Sequence, residues 1–366
     1  MSDSMIESSA QRLFSENVDK ALLEKFEAGE RPERLWQRVE DSGFPVALAA
    51  ESAGGIGETW SAAYPILRGI GYWQVPLPLS ETMIAAMLLS MAGVDVPPGP
   101  ITLVEQGCGN DLAAREESGA LRLSGTARRV PWARACRWML VSLADARLAL
   151  VDLADDAGVK VTHRPSHAGE PIDDVELRGA RALALAASPL PALALPVWTL
   201  GAVARSAMMV GALEFVLEQS VQYANDRVQF GRPIGKNQAI QQQLALLAGD
   251  VGAARVSALI ACEDAPSSTA SACAATAFSA AVAKIRCGES ATRVTSIGHQ
   301  VHGAIGFTYE HQLQFATRRL WAWRESFGSD GWWAQRLGEA AIGARSAAFW
   351  PSMTQRRFDG LDAALR

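Results

Sequence analysis

The sequence predicts an α+β protein with a helical N-terminal domain, a small middle β-domain and a C-terminal four-helix-bundle domain. Three observations carry this. Apolar residues recur at helical spacing through residues 1–97, short β-rich runs divided by Gly, Asp and Pro fill 98–196, and long Ala- and Gly-rich stretches occupy 197–366. A length of 366 residues, 49% of them hydrophobic and 20% charged, suits two or three packed units with a sizeable core. The order helical, β, helical sets the chain apart from alternating α/β folds and from the TIM barrel.

In the first block, Ala21–Phe26, Trp60–Gly71 and Glu81–Ala92 read as helices, and Gly54-Gly55-Ile56-Gly57 interrupts them with a loop. In the second, strands are expected at Ile101–Val104, Ala120–Ser124, Met139–Leu143, Leu148–Leu153 and Val159–Thr162, a spacing that suits a small sandwich or barrel. The uncharged run Ala182–Ala204 is long enough to cross a membrane. Pro189, Pro191 and Pro196 inside it predict a buried linker and a helix start instead, and no membrane span. In the third block, helices are expected at about Leu200–Asp226, Gln238–Asp264 and Thr269–Val301, with Gly and Ala on close-packed bundle faces.

Composition narrows the function. A net charge of −5 gives no electrostatic footprint for nucleic acid. Met1–Ala10 has acids and no apolar stretch, unlike a secretory signal, so a cytoplasmic protein is expected. Cys108, Cys136, Cys262, Cys273 and Cys287 are odd in number and form no CxxC pair, which predicts neither a disulfide framework nor a zinc site. His163 and His167 flank Pro165, and no HExxH occurs, so no metal is expected. A Walker loop and a GxGxxG are absent too.

The third block carries the specific motifs. Arg227-Val228-Gln229-Phe230-Gly231-Arg232-Pro233-Ile234 is followed by Gln238, and Gln300-Val301-His302-Gly303-Ala304-Ile305-Gly306-Phe307 comes later in the same block. Together they resemble the flavin-binding signatures of the acyl-CoA dehydrogenase family, and Glu51–Gly57 resembles that family's N-terminal signature. The resemblance spans nearly the whole chain, strongly at the end and weakly in the middle. It implies FAD as cofactor, with Arg227, Phe230 and Gln238 reaching the FAD of a neighbouring subunit and Gln300, Gly303 and Ala304 lining its adenosine end. The family usually has two adjacent glycines where this chain has Gly303 and Ala304. Arg227 by itself suits a pyrophosphate, through its planar fork of donors, or equally the negative end of a helix. Gly303 could equally be a helix stop.

The reaction implied is α,β-dehydrogenation of an acyl-CoA, which needs a carboxylate base in an apolar pocket. The usual base position, before a Gly-Thr pair, falls on Phe327, which cannot take a proton; Glu325 lies two residues away. The resemblance implies that the backbone N–H of Phe327 still serves the thioester oxygen. A minority of the family carries the base on an earlier helix. Counting back from Gln300 gives Glu289, eleven residues and about three helical turns away, after the small apolar run Ala277–Ile285 that only Ser279 and Lys284 interrupt. Glu289 is therefore the expected base. Arg293, four residues on, offers the plain alternative of a surface ion pair.

The middle block departs from the family. Val104-Glu105-Gln106-Gly107-Cys108-Gly109-Asn110-Asp111 keeps the Glu, the glycines and the Asp of its Thr-Glu-Pro-Gly-x-Gly-Ser-Asp run, without the Pro and Ser. Trp132 stacks near the flavin or fills the β core. Such departures resemble heteromeric bacterial members, some acting on steroid side chains, in which only one subunit carries the base, and this chain resembles the shorter, base-bearing partner. Two functions follow: an active FAD-dependent acyl-CoA dehydrogenase with Glu289 as base, or a silent subunit that completes a partner's flavin site. Family partners would be an acyl-CoA, an electron-transferring flavoprotein, and further subunits in a homo- or hetero-oligomer, a dimer or tetramer.

Overall fold

The computed structural model describes residues 2–117, 119–155, 157–267, 274–344, 348–358 and 360–365. Helices α1 (Ser2–Asn17), α2 (Lys20–Glu27), α3 (Glu33–Asp41), α4 (Trp60–Tyr72) and α5 (Leu79–Met91) come first. The sequence reading finds α2, α4 and α5 within two residues and passes over α1 and α3. Those two are short of continuous apolar runs, and each sinks only a narrow stripe, such as Phe14 of α1 and Val39 of α3. By contrast α5 is buried along nearly all its length, Ser80, Glu81 and Thr82 included.

Strands follow: β1 (Ile101–Glu105), β2 (Asp111–Glu117), β3 (Ala120–Pro131), β4 (Trp138–Ser142), β5 (Arg147–Asp152), β6 (Val159–Thr162), β7 (Ile172–Arg181) and β8 (Ala184–Ala187). They form one sheet ordered β1-β4-β5-β8 and another ordered β2-β3-β7-β6. Leu123, Met139, Val141, Ala149 and Val175 fill the space between the sheets. β2, β7 and β8 escape the sequence reading. β2 and β8 are mostly polar or small with little burial, and β7 opens on the acids Asp173 and Asp174.

The chain then returns to helix: α6 (Pro196–Asp226), a hairpin of β9 (Val228–Gln229) and β10 (Arg232–Pro233), then α7 (Gln238–Glu263), α8 (Ala274–His302), α9 (Leu313–Glu325), α10 (Asp330–Gly343), α11 (Phe349–Thr354) and α12 (Leu361–Leu365). The sequence-expected start of α8 at Thr269 lies outside the described residues, as does Cys273. Pro196 opens α6 as its first helical residue, where its missing N–H costs nothing. The run 182–204 thus divides into β8, a linker and the head of α6. Both α6 and α7 are long and apolar enough to cross a membrane; the apolar window of α6 is 94% buried within the protein, that of α7 33%.

α6 is the axis of the last block, packed by α4, α7, α8 and α9. It touches α4 backbone to backbone. A Cβ at Gly71 would lie 1.7 Å from the Met208 carbonyl oxygen, and one at Gly211 would lie 1.9 Å from that of Arg68. No side chain fits at either point, so the two glycines fix how deeply α4 seats on α6.

Candidate functional site

The first candidate region is the edge where α6 ends. Arg227 leaves the helix with extended backbone, and the chain turns back through β9 and β10. Phe230 and Gly231 occupy the turn with φ of 51° and 79°. Two consecutive left-handed residues are what a two-residue hairpin of matching twist requires. A Cβ at Gly231 would meet nothing within 4 Å, so conformation rather than room demands the glycine there. Phe230 is fully solvent-exposed at the tip. The plain alternative for it, a core aromatic, is thereby excluded within this chain. Arg227 makes no ion pair among the described residues. Gln238 stands exposed as the first residue of α7, whose N-terminus Asn237 caps through a 3.1 Å bond from Ala239 N–H.

The end of α8 meets this edge. Arg227, Tyr223, His302, Gln300, Gly303 and Ala304 line one cleft of about 460 Å³. Gly303 takes a φ of 65° just past the last helical residue, so it is a helix stop as well as cleft lining. Its virtual Cβ is in open space, and Ala304 is exposed. Below them His302 stacks on Tyr223 at 4.6 Å and meets His311 edge-on at 4.7 Å. His302 Nδ1 lies 2.7 Å from Gly298 O and must carry the proton there. Burial holds the His302 and His311 pKa values below the ordinary range, so both are neutral near pH 7. A dinucleotide suits these residues: an unpaired guanidinium, an exposed amide at Gln300, an exposed ring at Phe230 and accessible backbone at Gly303.

The second candidate region lies between the β-sheets and the helices. A cavity of about 330 Å³ is lined from the sheets by Val104, Glu105, Arg128, Arg129 and Trp132 and from the helices by Trp198, Arg205, Glu325 and Phe327. Phe327, the usual base position, is 8% exposed with φ of 53°. Its ring packs edge-on against Trp198 at 5.8 Å, and the Arg205 guanidinium carbon sits 5.6 Å from its centroid. Gly201 of α6 lies beneath: a Cβ there would be 2.4 Å from the ring. Arg205 is 2% exposed and pairs with Glu81 of α5, itself 1% exposed, while its Nη1 donates to Ser80 Oγ at 3.1 Å. Next to this pair, Glu170 takes bonds from Arg319 Nε at 3.2 Å and Trp323 Nε1 at 2.7 Å. The space behind the usual base position is therefore closed by a benzyl group and a buried ion pair.

Three carboxylates line this cavity. Burial pushes the Glu105 pKa up to about 8, against the bond its Oε2 accepts from Trp198 N–H at 3.0 Å. Glu170 is held by Arg319 and Trp323. Glu325 is exposed at the rim. Trp132 is 3% exposed and packs on Phe26 with ring centroids 5.7 Å apart, so it fills the core and lines the cavity at once. Arg319, Trp323 and Trp333 are buried.

Glu289, the expected base, stands apart from both regions. It lies on α8, but its side chain is 55% exposed and accepts from Arg286 Nη1 at 3.3 Å. It lines neither of these cavities. The neighbouring Gly288, not Glu289, faces the protein interior, where a Cβ would sit 2.6 Å from Asp330 Cβ. Arg293, the partner the sequence suggests, pairs instead with Asp250.

Sequence reasoning also missed Gly201, Arg205 and Glu81. The only available signal was a pair of charges, Glu81 and Arg205, each inside an apolar helix, which a buried pair would explain.

Residues 195–341 match the family described as acyl-CoA dehydrogenase, C-terminal domain. The chain is similar to the acyl-CoA dehydrogenase IpdE2 of Mycobacterium tuberculosis, 28% identical over 323 residues that cover 86% of this chain and 89% of that protein. Among solved structures, it is similar to a Tcur3481-Tcur3483 steroid ACAD variant, with a TM-score of 0.81, 27% identity and coverage of 93% and 98%. The ChsE4-ChsE5 complex from Mycobacterium tuberculosis shares the fold, with a TM-score of 0.81, 22% identity and coverage of 94% and 98%.

Proposed function

This chain belongs to the acyl-CoA dehydrogenase family of FAD-dependent oxidoreductases, and we propose that it is the subunit that completes a partner's flavin site rather than the one that takes the proton. The observation that carries this is Phe327 seated on Gly201. At the usual base position the chain has a benzyl group, and the adjoining helix has no room for any side chain. Glu289, the other expected base, is solvated and ion-paired.

FAD, when bound, supplies the hydride acceptor for dehydrogenation of the acyl thioester. The residues of this chain would hold it. Arg227 would meet a pyrophosphate with charge-assisted hydrogen bonds. Phe230 would insert into the neighbouring subunit and exclude water. Gln238 would add an amide at the head of α7, and Gln300, Gly303 and Ala304 would carry the adenosine end. The proton then goes to a carboxylate of the partner. The heteromeric relatives, one of them named for steroids, support a dissimilar partner and a steroid-derived acyl group. An electron-transferring flavoprotein would take the electrons onward.

A second reading rests on Glu325, which shares the cavity with Phe327. It could act as base from the rim in a homo-oligomer. Anaerobic absorbance of the purified chain, with and without a panel of acyl-CoAs, tests both. The expected result is little retained flavin and no bleaching by any thioester. Bleaching that Glu325→Gln abolishes would establish the second reading and end the first.

A further inference from the structure

The loop between β1 and β2 stands between two spaces. Glu105, Cys108 and Asn110 line the cleft of Phe327 on one side. On the other they line a second cavity, of about 780 Å³, which the β4–β5 turn and the linker between β8 and α6 also bound. Gln106 sets the loop against that turn: its Oε1 accepts from Ala144 N–H and its Nε2 donates to Leu112 O, both at 2.8 Å. Asn110 Nδ2 closes the loop on Glu105 O at 2.9 Å. Cys108 takes a φ of 49°, a conformation that is costly with a side chain and persists only where the surroundings hold it.

The outer wall of the second cavity comes from α12, through Leu365. Leu361 and Leu365 are four residues apart and share one face of that helix, which is buried, while Ala363 on the other face is exposed. Side chains hold the segment down. Phe358 is buried on Phe278 of α8 with ring centroids 5.8 Å apart, and Arg356 Nη2 lies 2.9 Å from Asp264 Oδ1 at the end of α7. Arg357 N–H and Ala364 N–H bond within the segment itself, to Ser352 O at 2.8 Å and Gly360 O at 3.0 Å. A helix of five residues has no stability of its own, so tertiary contacts alone keep α12 in place. It can lift away without breaking a sheet or a long helix.

We propose that α12 is a latch on the wall of the cleft. Seated, Leu365 closes the second cavity and braces the loop that carries Cys108. Released, it opens that cavity to solvent and frees the loop. The latch belongs to this chain whichever subunit carries the base, so it stands independently of the silent-subunit reading.

Cys108 is half-buried in that loop and serves as reporter in the full chain, its labelled peptide identified by mass. Burial pushes its thiol up to about 12, so the rate of a bulky fluorescein maleimide is divided by that of small N-ethylmaleimide, which cancels the thiolate fraction. Leu365→Asp should raise this ratio by about tenfold or more, since it removes the stabilisation that one buried leucine supplies. Ala363→Asp, on the exposed face of the same helix, should leave the ratio unchanged. Arg356→Gln loosens the far anchor without entering the cavity and should raise it by about threefold, as loss of one part-exposed ion pair would. An unchanged ratio in both Leu365→Asp and Arg356→Gln overturns the proposal, and so does equal acceleration by Ala363→Asp. If Leu365→Asp also opens the buried Cys262 and Cys287 to label, it has unfolded the chain, and Arg356→Gln alone decides.

Discussion

The hairpin edge and the Phe327 cleft make opposite use of their surroundings. At the edge, Arg227, Phe230, Gln238 and Gln300 are exposed, and Arg227 has no ionic partner among the described residues. In the cleft, Arg205 and Arg319 are buried to 2% and 0% exposure and committed to Glu81 and Glu170. One region points its polar groups outward at something the chain does not contain; the other spends them on internal pairing. When a site is shared between two chains, one chain can supply a half of it and let its own second half become core. This contrast is the physical content of the silent-subunit reading.

The largest expected effect tests whether the cleft is core. Glu81→Leu leaves the Arg205 charge buried and uncompensated, which should cost about 3–5 kcal/mol. Urea unfolding would show a lowered midpoint, and the double variant Glu81→Leu/Arg205→Met should regain most of the loss. If Glu81→Leu unfolds like the parent, the pair is no structural plug and the contrast with the edge fails.

The next effect belongs to the edge. Arg227→Ala should weaken FAD retention in the assembly with a partner by about 10–100-fold, the worth of about 1.5–3 kcal/mol for a charge-assisted bond. Thermal unfolding of the chain alone should not move, because Arg227 supports nothing within it. Phe230→Ala should behave likewise, since its ring touches only solvent. A drop in stability from either variant would make the edge part of the fold and blur the comparison.

Much of this was legible in the sequence, for unequal reasons. The third block has long Ala- and Leu-rich stretches uninterrupted by proline, and α7 begins at Gln238 as read. Arg227, Phe230 and Gln238 lie in one short stretch that folds as the hairpin and the head of α7, and Gln300 in a second at the end of α8. The cleft was not legible. Phe327, Gly201, Arg205 and Glu81 come from four separate stretches, and only packing brings them together. The exposure of Glu289 was hidden for a related reason. Helical spacing places it on one face with Gln300, but Gly288 at the Asp330 contact turns that face outward, and no one-dimensional pattern records the contact. β7 was missed because Asp173 and Asp174 look like a turn, although Asp173 is fully buried by its bonds to Arg134.

The two regions should also respond to pH on opposite sides of neutrality. Lys284 is fully buried and donates to the Trp323 and Arg324 carbonyls, at 2.8 and 2.9 Å, just before Phe327. Burial lowers its pKa from 10.5 to about 7. Between those values the unfolded chain binds the proton and the folded one does not, so stability rises with pH above about 7. The slope is at most about 1.4 kcal/mol per pH unit from this group. Lys284→Met should remove that slope, read from urea midpoints at pH values across the range. At the edge, burial holds His302 and His311 below 6.5, so their contribution is lost as pH falls beneath that value and is flat above it. A slope above pH 7 that Lys284→Met leaves unchanged would show the lysine is charged in the fold and would remove pH as a means of telling the regions apart.

The smallest expected effect is the most informative about chemistry. Glu289→Gln removes one carboxylate that is 55% exposed and shares a 3.3 Å contact with Arg286. Exposed pairs of this kind contribute little, so unfolding should shift by no more than about 0.5 kcal/mol. FAD content and the rate at which an acyl-CoA bleaches the flavin of the assembly should match the parent. Glu289 and Phe230 are both exposed, the first on α8 and the second at the hairpin tip. Loss of bleaching in Glu289→Gln, with stability unchanged, would mean that assembly carries this glutamate into an active site. The division between a donating edge and a closed cleft would then have to be redrawn around α8.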